Sequence, residues 1–323
     1  MLYDLLKIPA RLALAVYCPA LTIHPPGILE SKGPLLIACN HPNSFLDAII
    51  IATIFKQPVV SLARGDVFKG KRTIRLLRSM NILPVYRTSE GVENMDENYR
   101  TFEACREIFR QNGIVLIFSE GLCINEWHLR PLKKGTARLA LSSWDEGIPL
   151  RILPTGINYH RFRSFGKIVH LLGGQSFDSS AIDRSNGFGR AVQDFNGLLR
   201  ERMQPLIYEI PKQDIQTQKK TFANPAILSK RALFAIPAVL SFLLHAPLYY
   251  PVKIFTKKRT IHNDHYDSIL VAGLFLGYPV YILFLSWLAF LISHCWISFL
   301  LIPVSYLLAW CHARYRIASD VSA

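Results

Sequence analysis

Residues 268–311 contain no Asp, Glu, Lys or Arg over 44 consecutive positions. A bilayer core of about 30 Å needs roughly 20 helical residues per crossing, so this run has the length of two crossings. Ser293-His294 is the natural turn between them. A second apolar run, 232–252, carries Pro237, Pro247 and Pro251. Proline removes a helical donor and clashes with the preceding turn, so this stretch is expected to kink or break, as a re-entrant or interfacial segment would. Cytoplasmic loops collect Lys and Arg. Lys219, Lys220, Lys230 and Arg231 precede the second run, Lys253, Lys257, Lys258 and Arg259 separate the two, and Arg314 and Arg316 follow the first. Two crossings within 268–311 leave all three basic flanks on the cytoplasmic side. Buried helices of a large soluble core are the alternative, but such helices usually show a polar stripe.

The whole chain, 323 residues with half of them hydrophobic and a net charge of +14, averages this tail with something more polar. Disorder is excluded by that apolar content. Cys18, Cys39, Cys105, Cys123, Cys295 and Cys311 lie far apart with no C-x-x-C pair, so neither a disulfide framework nor a zinc site is indicated and reduced thiols in a cytoplasmic setting are expected. His262 and His265 lack further ligands, and no metal is expected. The apolar stretch 12–23, after Lys7 and Arg11, is too short to span. It reads as an interfacial helix rather than a cleaved signal, because its Ala-x-Ala triplet lies inside the stretch. The expected organisation is an interfacial helix over 1–25, a catalytic domain over 26–211, a basic linker over 212–231, and a membrane-associated region over 232–323 with a helical hairpin at about 268–311.

Within 26–211, apolar runs at 35–39, 59–62, 114–118, 151–157 and 167–172 alternate with stretches of helical spacing. That pattern predicts an α/β domain, a mixed sheet covered by helices. One helix is expected over 97–111, with Phe102, Cys105, Ile108 and Phe109 on one face, and another over 189–207. There is no G-x-S-x-G elbow, no phosphate-loop motif and no H-E-x-x-H.

The segment Asn40-His41-Pro42-Asn43-Ser44-Phe45-Leu46-Asp47 follows the first apolar run. Residues six apart on a regular helix point about 120° apart, so His41 and Asp47 can meet only if the chain turns near Pro42 and a helix starts near Ser44. Asp47 in the first helical turn could then hold one imidazole nitrogen and leave the other free to accept a proton. A capping box between Ser44 and Asp47 explains the same residues in purely structural terms.

The segment resembles the N-H-x(4,5)-D motif of the glycerolipid acyltransferase family, the PlsC-type enzymes that acylate glycerol 3-phosphate or its 1-acyl derivative, in the form with five intervening residues. The resemblance continues in order. Ile82-Leu83-Pro84-Val85-Tyr86-Arg87 is similar to the second family block, whose arginine contacts substrate phosphate. Phe118-Ser119-Glu120-Gly121 is similar to the third, Leu132-Lys133-Lys134-Gly135 to the lysine-glycine after it, and Ile152-Leu153-Pro154 to the fourth. The blocks cover about residues 34–158. Where the third block often continues Thr-Arg-Ser, this chain has Leu122-Cys123-Ile124, so Arg130, Lys133 or Lys134 is left to supply the missing charge.

A glycerol hydroxyl is a poor nucleophile near neutral pH, and acyl transfer from a thioester gains from a base within reach of its proton. His41 is the candidate base and Asp47 its orienting acid. Backbone amides near Asn43 or Gly121 are candidate oxyanion donors. Arg87 is the first choice for phosphate, with Glu120, Gly121, Arg130 and Lys134 as further substrate-binding candidates. Glu120 could accept from a glycerol hydroxyl or hold Arg87, and its structural alternative is a buried carboxylate paired with a base. Between 61 and 87, Arg64, Lys69, Lys71, Arg72, Arg75, Arg78 and Arg87 face a single acid, Asp66, a strip suited to coenzyme A phosphates or anionic headgroups or to plain solvation. The resemblance implies an integral membrane enzyme with its site on the cytoplasmic side. It would transfer acyl groups from acyl-CoA or acyl carrier protein to 1-acylglycerol 3-phosphate, giving phosphatidic acid, with no cofactor and no nucleic acid partner. A glycerol-3-phosphate acyltransferase, an inactive lipid-binding scaffold and a lipid hydrolase are the alternatives.

Overall fold

The computed structural model describes residues 2–86, 95–223 and 231–322. Helix α1 (Leu2–Tyr17) leads into strand β1 (Ala20–His24), then β2 (Leu35–Cys39), α2 (Phe45–Ile54), β3 (Val59–Arg64), α3 (Lys71–Ser79), β4 (Ile82–Val85), α4 (Met95–Arg110) and β5 (Ile114–Phe118). After these come α5 (Lys134–Asp145), β6 (Arg151–Tyr159), β7 (Ile168–Gly173), α6 (Phe188–Met203) and α7 (Ile215–Phe222). Three long helices close the chain: α8 (Arg231–Arg259), α9 (Tyr266–Ser293) and α10 (Leu301–Ser322).

The strands form one seven-stranded mixed sheet in the order β1-β7-β6-β2-β5-β3-β4, parallel except where β6 meets β7. Strand β2 is buried at all five positions, as a central strand covered on both faces must be. Its side chains alternate: Leu36 and Ala38 join one core with Cys105 and Phe109 of α4, Leu139 of α5 and Phe195 of α6. Leu35, Ile37 and Cys39 join the other with Leu14 and Tyr17 of α1, Ile50 of α2 and Leu270 of α9. The two-residue period of a strand thus divides the interior into two layers of helices around one sheet, the α/β class expected.

Strands β2 and β5 have the limits their apolar runs predict, while β3 and β6 run two residues longer. The expected helix over 97–111 is α4, and that over 189–207 is α6 followed by a short 3-10 turn at Gln204–Leu206. The N-terminal segment differs from expectation. Its helix ends at Tyr17, and residues 20–24 pair with β7 as an edge strand of the sheet. Helix α1 docks on α2, with Tyr3, Arg11 and Lys7 donating to the carbonyls of Ala52, Thr53 and Phe55 at 2.8, 2.7 and 2.8 Å. Those carbonyls lie at the helix C-terminus, where intrahelical donors run out. Leu5, Ile8 and Leu12 remain exposed on α1.

Each of α8, α9 and the segment Trp296–Asp320 is long and apolar enough to cross a membrane. The prolines of α8 do not interrupt it, contrary to the expected break. Neighbouring helices supply donors along its length: Tyr281 Oη donates to the Leu244 carbonyl at 2.7 Å, and His312 Nδ1 lies 3.0 Å from the Ala238 carbonyl. The carbonyls that Pro237, Pro247 and Pro251 leave without a helical donor are those four positions back, of Leu233, Leu243 and Pro247, so these two contacts tie the helix to its neighbours rather than replace the lost bonds. Gly273 and Gly277 of α9 face Val252 and Leu248 of α8 so closely that added Cβ atoms would come within 2.7 and 3.2 Å of them. This G-x-x-x-G pair lets the two backbones approach. Helix α9 ends at Ser293, and His294 (φ 49°) turns the chain. Both ends of the α9/α10 pair rest on the α/β domain, Tyr266 and Leu270 in one core and Ile317 in another, while the turn residues Trp296 and Ile297 are exposed.

Candidate active site

His41 lies two residues beyond the carboxyl end of β2, and Glu120 two beyond the end of the adjacent β5, whose Phe118 is in register with Cys39. Open α/β sheets bind ligands outside the carboxyl ends of their strands. The chain turns at Pro42 and Asn43, and α2 starts at Phe45. Asp47 therefore falls in the first helical turn and its Oδ2 receives His41 Nδ1 at 2.9 Å.

Asp47 is fully buried, so every lone pair needs a donor. Oδ2 also accepts from the Asn43 backbone N–H at 2.8 Å, and Oδ1 from Tyr159 Oη at 2.6 Å. The carboxylate is thereby fixed from three sides. The imidazole is stacked on Phe118, with centroids 3.8 Å apart and planes 12° apart. Its Nδ1 is occupied by Asp47, and the side chain keeps 19% of its surface exposed. Nε2 is the nitrogen left to exchange a proton with a substrate. No capping box forms. Ser44 makes no side-chain cap, its hydroxyl lying instead 2.7 Å from His265 Nδ1.

Glu120 is buried and both its oxygens accept from backbone, Oε2 from the His41 N–H at 2.8 Å and Oε1 from the Arg130 N–H at 2.9 Å. Burial raises its carboxyl above the ordinary value, and the hydrogen bonds from Arg130 and His41 pull it back part of the way. It fastens the main chain beneath the imidazole. Gly121 has φ +64°, which a side chain would strain, and its N–H closes a turn onto the Phe118 carbonyl at 3.0 Å. The backbone N–H groups of Asn43 and Gly121 themselves are thus already engaged. The Arg130 guanidinium pairs with Glu126 at 2.8 Å. Lys134 is exposed at the first position of α5, where helix N-terminal amides favour anions. Arg87 lies outside the described residues.

Several site residues were not apparent from sequence. Asn40 bridges β2 to β6 through its side chain, donating to the Ile157 carbonyl at 3.1 Å and accepting from the Ile157 N–H at 2.8 Å. Asn125 donates to the Pro42 carbonyl at 2.7 Å. Burial raises the Cys123 thiol above its ordinary value, and its sulfur receives the Ser44 N–H. Tyr159 continues β6 two residues past Ile157, so strand periodicity alone places both on one face. Among the described residues no cluster of three metal-ligating side chains occurs.

A histidine held by a buried carboxylate at the carboxyl edge of an α/β sheet defines a site suited to proton abstraction from an alcohol. Residues 20–158 match the family model described as Acyltransferase, a span that contains the blocks at 34–158 on which the resemblance rests. That match bears out the acyltransferase resemblance, without singling out the individual blocks. No curated protein matches the chain. Among solved structures, the 1-acyl-sn-glycerophosphate (LPA) acyltransferase PlsC from Thermotoga maritima is similar at 14% sequence identity, with a TM-score of 0.45, over 62% of this chain and 78% of that one.

Proposed function

We propose that this chain is an integral membrane O-acyltransferase. It moves a fatty acyl group from a thioester of coenzyme A or acyl carrier protein to the free hydroxyl of 1-acylglycerol 3-phosphate, giving phosphatidic acid. The observation that carries the reading is the His41–Asp47 contact of 2.9 Å, with Asp47 fully buried and held by two further donors. His41 Nε2 takes the proton of the acceptor hydroxyl while its oxygen attacks the thioester carbonyl. The tetrahedral intermediate then collapses, the carbon–sulfur bond breaks, and the departing thiolate receives that proton from the imidazolium. Asp47 orients the ring and stabilises its cationic form.

Phosphate is assigned to Arg87 on its sequence block, since arginine offers a bidentate fork, with Lys134 as a second cation. Glu120 is reassigned from the acceptor to the support of His41. An acceptor already carrying one acyl chain fits the position of the site, because apolar α9 starts beside the His41 loop, Ser268 Oγ lying 3.1 Å from the Phe45 backbone nitrogen. Lys257, Lys258 and Arg259 end α8 at the same edge, and the positive-inside rule supports a cytoplasmic site.

Membranes carrying wild type or His41→Ala are assayed with labelled acyl-CoA and either glycerol 3-phosphate or 1-acylglycerol 3-phosphate. Turnover of the acylated acceptor is expected to fall by about 10²-fold or more in the variant, the lower range for a lost general base. Equal turnover in both preparations overturns the assignment of His41. A wild-type preference for glycerol 3-phosphate overturns the acceptor alone.

A further inference from the structure

The residues that hold the His41 loop in place come partly from beyond the matched domain. Asp267, in the first turn of α9, is 1% exposed. Its Oδ2 accepts from Asn43 Nδ2 at 2.8 Å, from the Arg163 N–H at 3.2 Å and from Lys167 Nζ at 2.9 Å, and its Oδ1 from Tyr17 Oη at 2.5 Å. Lys167 has no exposed side-chain surface. A buried ion pair adds little net stability over well-packed apolar side chains, because desolvation offsets its attraction. What such a pair does supply is a fixed geometry.

That geometry ends on the proposed catalytic pair by two routes. Asn43, itself 1% exposed, gives its side-chain amide to Asp267 and its backbone N–H to Asp47. Lys167 Nζ lies 5.8 Å from the centroid of the Tyr159 ring, whose hydroxyl donates to the other oxygen of Asp47. Between these routes Ser44 has φ 52° and ψ −135°, a conformation that strains a non-glycine residue and persists only where surroundings over-determine it. Besides the Cys123 sulfur on its N–H, its surroundings are the start of α9: His265 against the Ser44 hydroxyl and Ser268 against the Phe45 N–H.

We propose that Asp267 is a positioning residue for acyl transfer, holding Asn43 so that the 41–47 loop presents His41 and Asp47 in working register. The site is then complete only when the apolar helix α9 is docked on the domain. This rests on the reading of His41 as the base.

The test uses the full chain in phospholipid vesicles, with turnover expressed per folded protein. Asn43→Ala severs the link from the loop side and leaves the Lys167–Asp267 pair intact. Asp267→Leu combined with Lys167→Met severs it from the other side, removing the acceptor without stranding a buried charge. Each is expected to lower kcat at least tenfold while KM for donor and acceptor stays within twofold. Combining them should add little to either, and Asp267→Glu should recover part of the loss. An Asn43→Ala variant with kcat within twofold of wild type overturns the proposal, whatever the pair variant does, as do fully additive losses. His41→Ala is run alongside. If it keeps wild-type turnover, the base assignment itself fails. If it is inactive while Asn43→Ala turns over normally, only the role of Asp267 fails.

Discussion

At the scale of single residues the site is a set of buried polar groups that hold one another and the main chain by hydrogen bonds, and one histidine away from the chemistry shows what burial alone does. His160 is 5% exposed, and its Nδ1 accepts the Ile168 N–H at 2.9 Å. That bond requires the neutral ring with the proton on Nε2. Burial first, then the charge of Lys167, lower its pKa from 6.5 to about 3. A folded value below the unfolded one means that the stability tied to the neutral ring is present above pH 6.5 and is lost as pH falls toward 3. The loss amounts to about 1.4 kcal/mol per pH unit within that window. Thermal midpoints measured from pH 7 to pH 4 are expected to fall less steeply in His160→Asn than in wild type, since asparagine keeps an acceptor but does not titrate; parallel curves would show that the ring is not held neutral. The pairing of His41 with Asp47 was legible because six-residue spacing across a Pro-Asn turn admits few geometries. The pairing of Asn43 with Asp267 was not, since no local rule links residues 224 positions apart. A signal did exist: Asp267 is the acid at the very edge of the 44-residue uncharged run, and an ionisable group next to apolar helix is a functional candidate by its cost.

Among the elements, apolar runs bounded by turn residues fixed β2 and β5 to the residue, because both faces of those strands are covered. Strand β1 was hidden. The continuous apolar stretch 12–23 conceals the end of α1, and an edge strand formed by pairing with β7, more than 140 residues away, has no local pattern of its own. In α8 the local rule was overridden, since three prolines predict a broken helix and 231–259 is one helix tied by hydrogen bonds to α9 and α10. The contact between α8 and α9 depends on the absence of side chains at Gly273 and Gly277. Gly273→Leu, whose Cβ alone would come within 2.7 Å of Val252 Cγ1, is expected to cost about 1–3 kcal/mol by overpacking. The milder Gly277→Ala should cost less. Thermal midpoints in detergent check this, and a Gly273→Leu midpoint equal to wild type would mean that the helices part without cost.

For the whole molecule, composition announced a polar domain joined to an apolar tail, and the structure adds that the two share a polar seam. The hairpin of α9 and α10 starts and finishes on the domain, so its turn is the part farthest along the chain from either attachment. Cys295 sits in that turn and is exposed, whereas Cys18, Cys39 and Cys105 are buried. In sealed vesicles of a chain with Cys123 and Cys311 replaced by serine, a membrane-impermeant thiol reagent is expected to reach Cys295 from the side opposite the domain. A cysteine placed at Lys257 should be reached from the domain side. Labelling of both from one side rules out a hairpin that crosses. The fastening of residues 43–45 by residues 265–268 also has a consequence for biogenesis. A ribosome delivers all seven strands of the sheet before it makes the segment that steadies the reactive loop, so a newly synthesised chain should remain idle until its last third has left the exit tunnel and found the bilayer.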